Sequence, residues 1–174
     1  FSPYLGEISK GYGQVKKAGI IACEALSGKY RDQLLLSDQW KDELFDFSKL
    51  QVKPTLEYDQ KKFSSIVFCE GAYAAENPFF NWLPFKLCKG EWIVIQTEKS
   101  LGESVLNHVI NFIPLGENRY KLSSTYEWED LSWNKTEKGK LELCSAFEKC
   151  FDLPYAVIEH SAGVRPTVGD RRPF

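Results

Sequence analysis

Two strand-like runs joined by a very short turn constrain the fold of this chain more than any other feature. Residues 109–115 and 120–126 are rich in β-branched and aromatic side chains, and Gly116-Glu117-Asn118-Arg119 connects them. A connection this short makes neighbouring strands run antiparallel, so we predict a β-hairpin. Apolar and polar residues alternate over residues 91–97, which predicts another strand just before the hairpin.

Helical periodicity occurs in two segments. Apolar residues at three- and four-residue spacing predict a helix over residues 13–26, ended by Ser27-Gly28. A second helix is predicted over residues 136–150, with Thr136 as its N-cap. Its expected apolar stripe consists of Leu141, Cys144, Phe147 and Phe151.

Shorter apolar runs predict the remaining strands. Residues 34–36 and 157–160 are strand candidates, and residues 44–47 are a weaker turn or strand candidate. The continuous apolar run at residues 66–69 is typical of a strand that is covered on both faces. Together these elements predict an α+β fold, an antiparallel-rich mixed sheet with packing helices.

Composition and charge narrow the class of protein. With 174 residues, 43% of them hydrophobic, the chain is long enough to bury a core in one domain. The net charge is −2 and the basic residues are scattered, so we expect no nucleic-acid partner. We find neither a signal peptide nor an apolar run of membrane-spanning length, so we expect no membrane span and a cytoplasmic location. The sequence contains no Met and begins at Phe1, which favours a fragment of a longer protein.

Common catalytic and metal-binding motifs are not found in the sequence. The five cysteines include no CxxC pair, and His108 and His160 lie far from any cysteine cluster, so we expect reduced, mostly buried thiols and no metal site. No GxSxG or HExxH motif occurs, and no GxGxxG loop is found that would bind a dinucleotide.

Arg165 is the strongest candidate for a ligand-binding residue. It lies between Gly163 and Pro166 at the end of a predicted strand, where the backbone path is tightly constrained. Such a placement suits a rigid guanidinium group that binds a planar carboxylate through two parallel hydrogen bonds. The alternative is that Arg165 pairs with an acidic side chain of its own domain.

Three stretches of the sequence, in this order, carry a family resemblance. They are IVFCEGAYAAENPFFNWLPFKLCKGEW, FIPLGENRYKLSSTYEW and HSAGVRPTVGDRRPF. They resemble the D-amino-acid oxidase and glycine oxidase superfamily of FAD-dependent oxidoreductases, over residues 61–174 well and over the preceding residues only loosely. The resemblance implies the substrate-binding part of a two-domain flavoprotein, with partial flavin-domain elements at about residues 61–75.

The resemblance also implies roles for particular residues. Arg165 falls at the position of the arginine that binds the substrate carboxylate, and Tyr126 falls where a strand faces the substrate cavity. For Tyr126 the alternative is an ordinary strand tyrosine of the core or surface. The other residues implied are Asn111 and Phe112 for substrate, and Gly71, Ala72 and Gly163 for the cofactor. The sequence departs from the family pattern in two places: family members often have Gly in place of Ser123 or Ser124, and Trp in place of Tyr73.

The implied activity is oxidation of the C–N bond of a small amino acid or amine by hydride transfer to FAD. Family members bind the ADP part of FAD on an N-terminal GxGxxG loop and continue past DRRP into a second flavin segment. Both are absent here, so we expect this fragment alone to be inactive and not to hold FAD. Its expected partners are the small-molecule substrate and the missing FAD-binding domain of the same protein.

Two alternatives to this function remain open. The first is a non-enzymatic binding module, for which the aromatic stretch at residues 77–85 could be an exposed contact patch. The second is a flavin dehydrogenase that passes electrons to an acceptor other than oxygen.

Overall fold

A computed structural model describes residues 13–169 of the chain. These residues belong to two compact units, residues 13–67 and residues 68–169. The division falls inside residues 61–75, the range to which the resemblance assigns flavin-domain elements. That assignment stays a prediction.

The unit of residues 13–67 contains one α-helix and a small sheet. The helix α1 spans Cys23–Leu36, and a 3-10 helix spans Phe47–Lys49. The sheet is antiparallel in the order β1-β2-β3, with β1 at Leu50–Gln51, β2 at Glu57–Tyr58 and β3 at Lys61–Lys62.

The predictions for the start of this unit are wrong in position and type. The helix begins at Cys23, where we expected residues 13–26, and residues 34–36 are its last turn and not a strand. Ser27 and Gly28 lie inside α1, where the Ser27 hydroxyl donates a hydrogen bond to the Cys23 carbonyl at 2.9 Å. The glycine costs only about 1 kcal/mol relative to alanine, which the rest of the helix can offset.

A five-stranded antiparallel sheet is the framework of the unit of residues 68–169. Its order is β5-β6-β7-β4-β8, so that β4 lies inside the sheet and pairs with β7 on one side and with the edge strand β8 on the other. The strands are β4 at Cys88–Thr97, β5 at Leu106–Asn107, β6 at Asn111–Gly116, β7 at Arg119–Ser123 and β8 at Tyr155–Arg165. The predicted α+β class is confirmed.

The predicted hairpin is confirmed as β6 and β7. Gly116 pairs with Arg119, and the two residues between them, Glu117 and Asn118, have φ angles of 53° and 55°. A two-residue turn with both residues in the left-handed region matches the twist of antiparallel strands. The composition of this connection therefore predicted its geometry.

The second predicted helix is confirmed as α2, Glu137–Glu148. Thr136 is its N-cap, and its hydroxyl oxygen accepts a hydrogen bond from the Gly139 amide at 3.0 Å. The predicted stripe is wrong at Leu141, which is 61% exposed, whereas Leu143 and Ala146 are buried. Residues 141 and 143 both lie at helical spacing from other apolar positions, and only packing against the sheet selects one face.

The alternation along β4 separates two faces of the sheet. Ile93 and Ile95 are fully buried on the face covered by α2. They belong to a core that includes Phe112 of β6 and Phe147 of α2. The other face of β4 carries Cys88 and Gly90, and this face bears the site described below.

The predicted strand at residues 66–69 is wrong. No strand of the described residues pairs with it, and Ile66 and Val67 are 37% and 80% exposed. An apolar run forms a buried strand only when a neighbouring strand supplies hydrogen bonds to its backbone. The spacing of apolar residues does not show whether such a neighbouring strand exists. The weaker candidate at residues 44–47 contributes only Phe47, in the 3-10 helix.

The structure of residues 13–169 bears on the expectations about the cysteines, a metal site and a membrane span. All five cysteines are free, but only Cys88 is buried, so the expectation of mostly buried thiols is wrong. Within that range no three His, Cys, Asp or Glu side chains are arranged to hold a metal ion. No helix there has the length and apolar character that crossing a membrane requires.

Candidate functional site

A cavity of about 550 Å³ lies where β4 begins and β8 ends. Cys88 and Arg165, which pair across these two strands, both line it. Most of the remaining wall is apolar or aromatic: Phe68, Phe85, Tyr126, Trp128, Pro166 and Val168. A cavity of this size and lining is typical of a small-molecule site.

Backbone pairing holds the cavity walls in place. The Lys89 and Glu127 backbones exchange two hydrogen bonds, of 2.9 and 3.0 Å, which extend the sheet beyond β7. Side chains alternate along such an extended segment, so Tyr126 and Trp128 face the same side, toward the cavity. On another wall, Phe85 bridges to Val168.

Neutral acceptors hold the Arg165 guanidinium group. Its Nη1 donates to the Ser124 hydroxyl at 3.0 Å, and its Nη2 donates to the Thr125 carbonyl at 2.9 Å. Weaker contacts of 3.5 Å join Nη2 to Cys88 Sγ and to the Lys89 carbonyl. The guanidinium group therefore has a defined position at the cavity wall.

The positive charge of Arg165 is not neutralised within the described residues. No Asp or Glu in residues 13–169 forms an ion pair with it, so the alternative of an acidic partner in its own domain is not seen there. Its Nε is buried and has no hydrogen-bond partner among these residues. The Tyr126 ring lies 4.6 Å from the guanidinium carbon and stabilises the cation. A partly buried cation without a counter-ion favours binding of an anion.

Two glycines lie side by side next to the guanidinium group. Gly90 of β4 pairs with Gly163 of β8. A Cβ at Gly90 would lie 2.7 Å from Arg165 Nη2 and 3.2 Å from the Thr125 carbonyl oxygen, so a side chain there would push the guanidinium group from its place. A Cβ at Gly163 would meet its nearest atom, on Trp133, at 4.0 Å, so this position has room.

The structure brings some of the predicted site residues together and separates others. Arg165, Tyr126 and Gly71 all line the cavity, whereas Ala72, Gly163 and Asn111 do not. The prediction that Phe112 faces the cavity is wrong, because it is 1% exposed and packs against Tyr120 and Phe151 in the core. It lies on the face of the sheet that α2 covers.

The backbone at Gly71 leaves open space beside it. Gly71 has a φ of +57°, and a Cβ built there meets no atom within 4 Å. Ala72 follows it in the 3-10 helix Gly71–Ala75 and is buried. No strand–GxGxxG–helix unit occurs within residues 13–169, so the described residues offer no phosphate-binding loop for the cofactor.

The lining residues that the sequence analysis missed include Glu70, Cys88 and Trp128. Glu70 precedes the glycine that we did select, and its acidic side chain next to a sharp turn was the available signal. Cys88 and Trp128 gave no signal, since they reach the cavity only through the pairing of β4 with β8 and of Lys89 with Glu127.

A buried polar cluster lies on the opposite face of β4. Glu91 is 3% exposed, and its carboxylate accepts hydrogen bonds from the Thr136 amide at 2.9 Å and the Thr136 hydroxyl at 2.6 Å. His160 Nε2 lies 2.7 Å from the same carboxylate. Burial raises the pKa of Glu91, but these hydrogen bonds outweigh it and the net pKa is lowered. His160 is thus engaged with Glu91 and does not line the cavity.

A buried lysine fixes the segment that follows Trp128. Lys89 is fully buried, and its Nζ lies 2.6 Å from Asp130 Oδ2 and 3.4 Å from Ser132 Oγ. The hydrogen bond from Lys89 is the main cause that lowers the pKa of Asp130 to about 2. This pair anchors the segment that carries the aromatic wall of the cavity.

Comparison with known proteins identifies the fold. No family model matches the sequence. The structure superposes on the crystal structure of glycine oxidase from Geobacillus kaustophilus with a TM-score of 0.60, at 19% identity over 76% of this chain. This chain has the fold of part of a glycine oxidase.

This chain corresponds to less than half of the glycine oxidase that it matches. The chain spans 38% of the length of the Geobacillus protein. Glycine oxidase from Bacillus cereus ATCC 14579 also matches, with a TM-score of 0.49 and 15% identity over 60% of this chain and 30% of that one. The match to the Geobacillus protein confirms, at the level of the fold, the resemblance predicted from the three sequence stretches.

Proposed function

We propose that this chain is the substrate-binding part of an FAD-dependent oxidoreductase that oxidises the C–N bond of a small amino acid or amine, and that Arg165 binds the substrate carboxylate. One observation carries the proposal: the Arg165 guanidinium group lines a cavity, is held by neutral acceptors and has no acidic partner among residues 13–169. The glycine oxidase fold supports the same proposal.

The residues of this chain would bind and orient the substrate. A carboxylate that accepts two parallel hydrogen bonds from a guanidinium group is fixed in position and in rotation. Tyr126 and Trp128, which line the cavity, would place aromatic surface beside this ion pair. Gly90 keeps the guanidinium group in place, since any larger residue would displace it.

The cofactor would supply the redox step. Gly71 would lie beside a bound FAD, which would supply the hydride acceptor for oxidation of the C–N bond. Orientation of the α-carbon by the Arg165 carboxylate contact is the contribution proposed for this chain. Selectivity follows, because an amine without a carboxylate would leave the cation at the cavity wall unpaired.

Carboxylate binding by the chain itself tests the first part of the proposal. Glycine, acetate and ethylamine would be titrated calorimetrically into wild type and into Arg165→Gln. We expect the two carboxylates to bind wild type and ethylamine not to bind. Hydrogen bonds to a charged group contribute about 1.5–3 kcal/mol each, so Arg165→Gln should raise Kd roughly 10- to 100-fold.

Arg119→Gln is the matched control. Arg119 also has a buried Nε without a partner among the described residues, but it pairs with Glu117 at 3.3 Å and does not line the cavity. Its substitution should leave carboxylate binding unchanged. Equal affinities of wild type and Arg165→Gln for acetate would overturn the role of Arg165.

Redox activity needs the gene product that carries this chain together with an FAD-binding domain. Its visible spectrum would be recorded before and after anaerobic addition of amino acids and amines, and we expect the flavin absorption to bleach with a carboxylated amine. Arg165→Lys should raise KM sharply, because lysine keeps the charge but loses the planar fork. An unchanged kcat/KM would contradict the proposal.

A non-enzymatic binding module is the second candidate, favoured by one observation. Trp82 is 74% exposed within the aromatic stretch of residues 77–85, and its indole Nε1 donates to the Phe79 carbonyl at 2.8 Å, which holds the ring at the surface. A gene product that is colourless and takes up no FAD would favour this candidate over the oxidoreductase.

A further inference from the structure

We propose that Cys150 and His108 together bind one zinc ion at the surface of the unit of residues 68–169. The inference goes beyond the proposed function, because neither residue lines the cavity that contains Arg165. The two residues are 42 positions apart in the sequence, so no ligand spacing indicated a metal site there. Only the fold places them side by side.

The two side chains face each other through atoms that bind metals. Cys150 Sγ lies 3.9 Å from His108 Nδ1. Zinc binds sulfur at about 2.3 Å and nitrogen at about 2.0–2.1 Å in tetrahedral geometry, which puts these two ligand atoms about 3.6 Å apart. A movement of about 0.3 Å would therefore let both atoms bind one ion.

The backbone holds His108 in place. His108 lies in the turn that joins β5 to β6, and its amide donates a hydrogen bond to the Ile110 carbonyl at 3.1 Å. Asn107 pairs with Asn111 across the base of this turn. Ile110 is buried and Leu106 packs against the core, so the turn is anchored on both sides. His108 itself is exposed and accessible to an ion in solution.

The end of α2 holds Cys150. Its amide donates a hydrogen bond to the Phe147 carbonyl at 2.9 Å, and it packs against the core that contains the buried rings of Phe147 and Phe151. Cys150 follows the C-terminal end of α2, where the partial negative charge of the helix dipole favours a cation. Two ligands that separate elements already hold in position lose little conformational freedom when they bind an ion.

The chemistry of the two ligands selects the ion. Neither side chain has a second hydrogen-bond partner among the described residues, so metal binding would break no other contact there. Thiolate sulfur and imidazole nitrogen suit zinc, whereas magnesium and calcium prefer oxygen ligands. On binding, the Cys150 thiol releases its proton to solvent and its sulfur binds the ion. The neutral His108 ring binds through Nδ1 with its proton on Nε2, and water completes the tetrahedron.

Cobalt and zinc titrations test the site. The chain, reduced and freed of metal by a chelator, would first be titrated with Co²⁺, because a thiolate ligand gives cobalt a charge-transfer band in the near ultraviolet. Zn²⁺ would then be added, and the loss of the band would measure its affinity. For wild type we expect one ion per chain, displacement of cobalt by zinc, and no displacement by an excess of Mg²⁺.

The variants assign the ion to the two residues. Cys150→Ser should abolish the band. His108→Gln should weaken zinc binding about tenfold or more, since even the loss of an outer-shell partner of a metal ligand costs about 10- to 100-fold in affinity. His108 is exposed, so this substitution leaves the core intact, and far-UV circular dichroism would verify the fold of each variant. The matched control is Cys23→Ser/Cys69→Ser, which removes the two exposed cysteines and should keep the band.

Three results would overturn the inference: no band in wild type, a band that persists in Cys150→Ser, or wild-type zinc affinity in His108→Gln. Acetate affinity should be equal with and without zinc, because the site lies apart from the cavity. Loss of acetate binding on addition of zinc would place the ion in the cavity and contradict the assignment. The proposed function is tested separately by Arg165→Gln, so the failure of one leaves the other standing.

Discussion

Gly139→Ala is the substitution whose effect follows most directly from the geometry, and it should destabilise the protein although it lies in a helix. Gly139 is buried in the first turn of α2. A Cβ there would lie 2.5 Å from Glu91 Cδ and 2.6 and 2.7 Å from the two carboxylate oxygens. Ordinary contact begins at 3.4 Å, so the carboxylate would have to move by the difference, 0.9 Å.

The cost of that movement comes from the hydrogen bonds of Glu91. Thr136 donates two hydrogen bonds to the carboxylate, and His160 Nε2 lies 2.7 Å from it. Hydrogen bonds to a charged group contribute about 1.5–3 kcal/mol each, so breaking two of the three costs roughly 3–6 kcal/mol. Alanine regains about 1 kcal/mol of helix propensity over glycine, which leaves a net destabilisation of about 2–5 kcal/mol.

Urea denaturation followed by far-UV circular dichroism would measure this change, with Gly28→Ala as the matched control. Gly28 lies in α1, and a Cβ there meets no atom within 4 Å. The same substitution should therefore stabilise α1, by about 0.5–1 kcal/mol. A third variant, Gly139→Ala in a Glu91→Ala background, removes the group that the new methyl meets.

We expect Gly139→Ala to lower the free energy of unfolding and Gly28→Ala to raise it. The loss caused by Gly139→Ala should largely disappear in the Glu91→Ala background. If Gly139→Ala is as stable as Gly28→Ala, the carboxylate relaxes without loss and the reasoning about Glu91 is wrong. If the penalty persists without Glu91, its cause lies elsewhere in α2.

Two further predictions concern the site and its support. Gly90→Ala should weaken acetate binding about tenfold or more, because the new methyl group would displace the Arg165 guanidinium group from its acceptors. Gly163→Ala, at the residue that pairs with Gly90 on β8, should bind acetate as wild type does. Equal acetate affinities of the two variants would contradict this geometry. For Asp130 the pKa is lowered from 3.8 to about 2 in the folded state, so its contribution to stability is present above pH 3.8 and is lost as the pH falls toward 2. Thermal unfolding of wild type and Asp130→Asn should thus differ most above pH 3.8 and converge near pH 2, and a difference that does not change with pH would refute the Lys89–Asp130 contact.

Local chemistry alone predicted the hairpin, the second helix and its N-cap. Glu117-Asn118 can occupy the left-handed region, and Thr136 supplies a hydroxyl to an unpaired helix amide, so these features depend on residues adjacent in sequence. Arg165 was also selected from its neighbours, since glycine and proline constrain its backbone, and it lines the cavity, while its role in binding stays a proposal. The fold resemblance followed from the order of the three stretches.

Features that depend on distant partners were decided by the tertiary structure. Residues 66–69 have the composition of a strand, but no described strand pairs with them, and residues 34–36 complete a helix that their own apolar run does not indicate. Phe112 looked like a cavity residue, but the register of β6 against β7 turned it to the core. A one-residue change of register reverses the face of every side chain in a strand, and the sequence does not encode register locally.

The cavity itself is the clearest case of what sequence left undetermined. Glu70, Cys88 and Arg165 lie far apart in the chain, and only the pairing of β4 with β8 and the turn at Gly71 bring them to one cavity. The sequence by itself determined which residue types were available, namely one constrained arginine and a glycine turn. Only the folded sheet decided that the arginine has no acidic partner among the described residues, because charge pairing depends on distances in space and not on spacing in the chain.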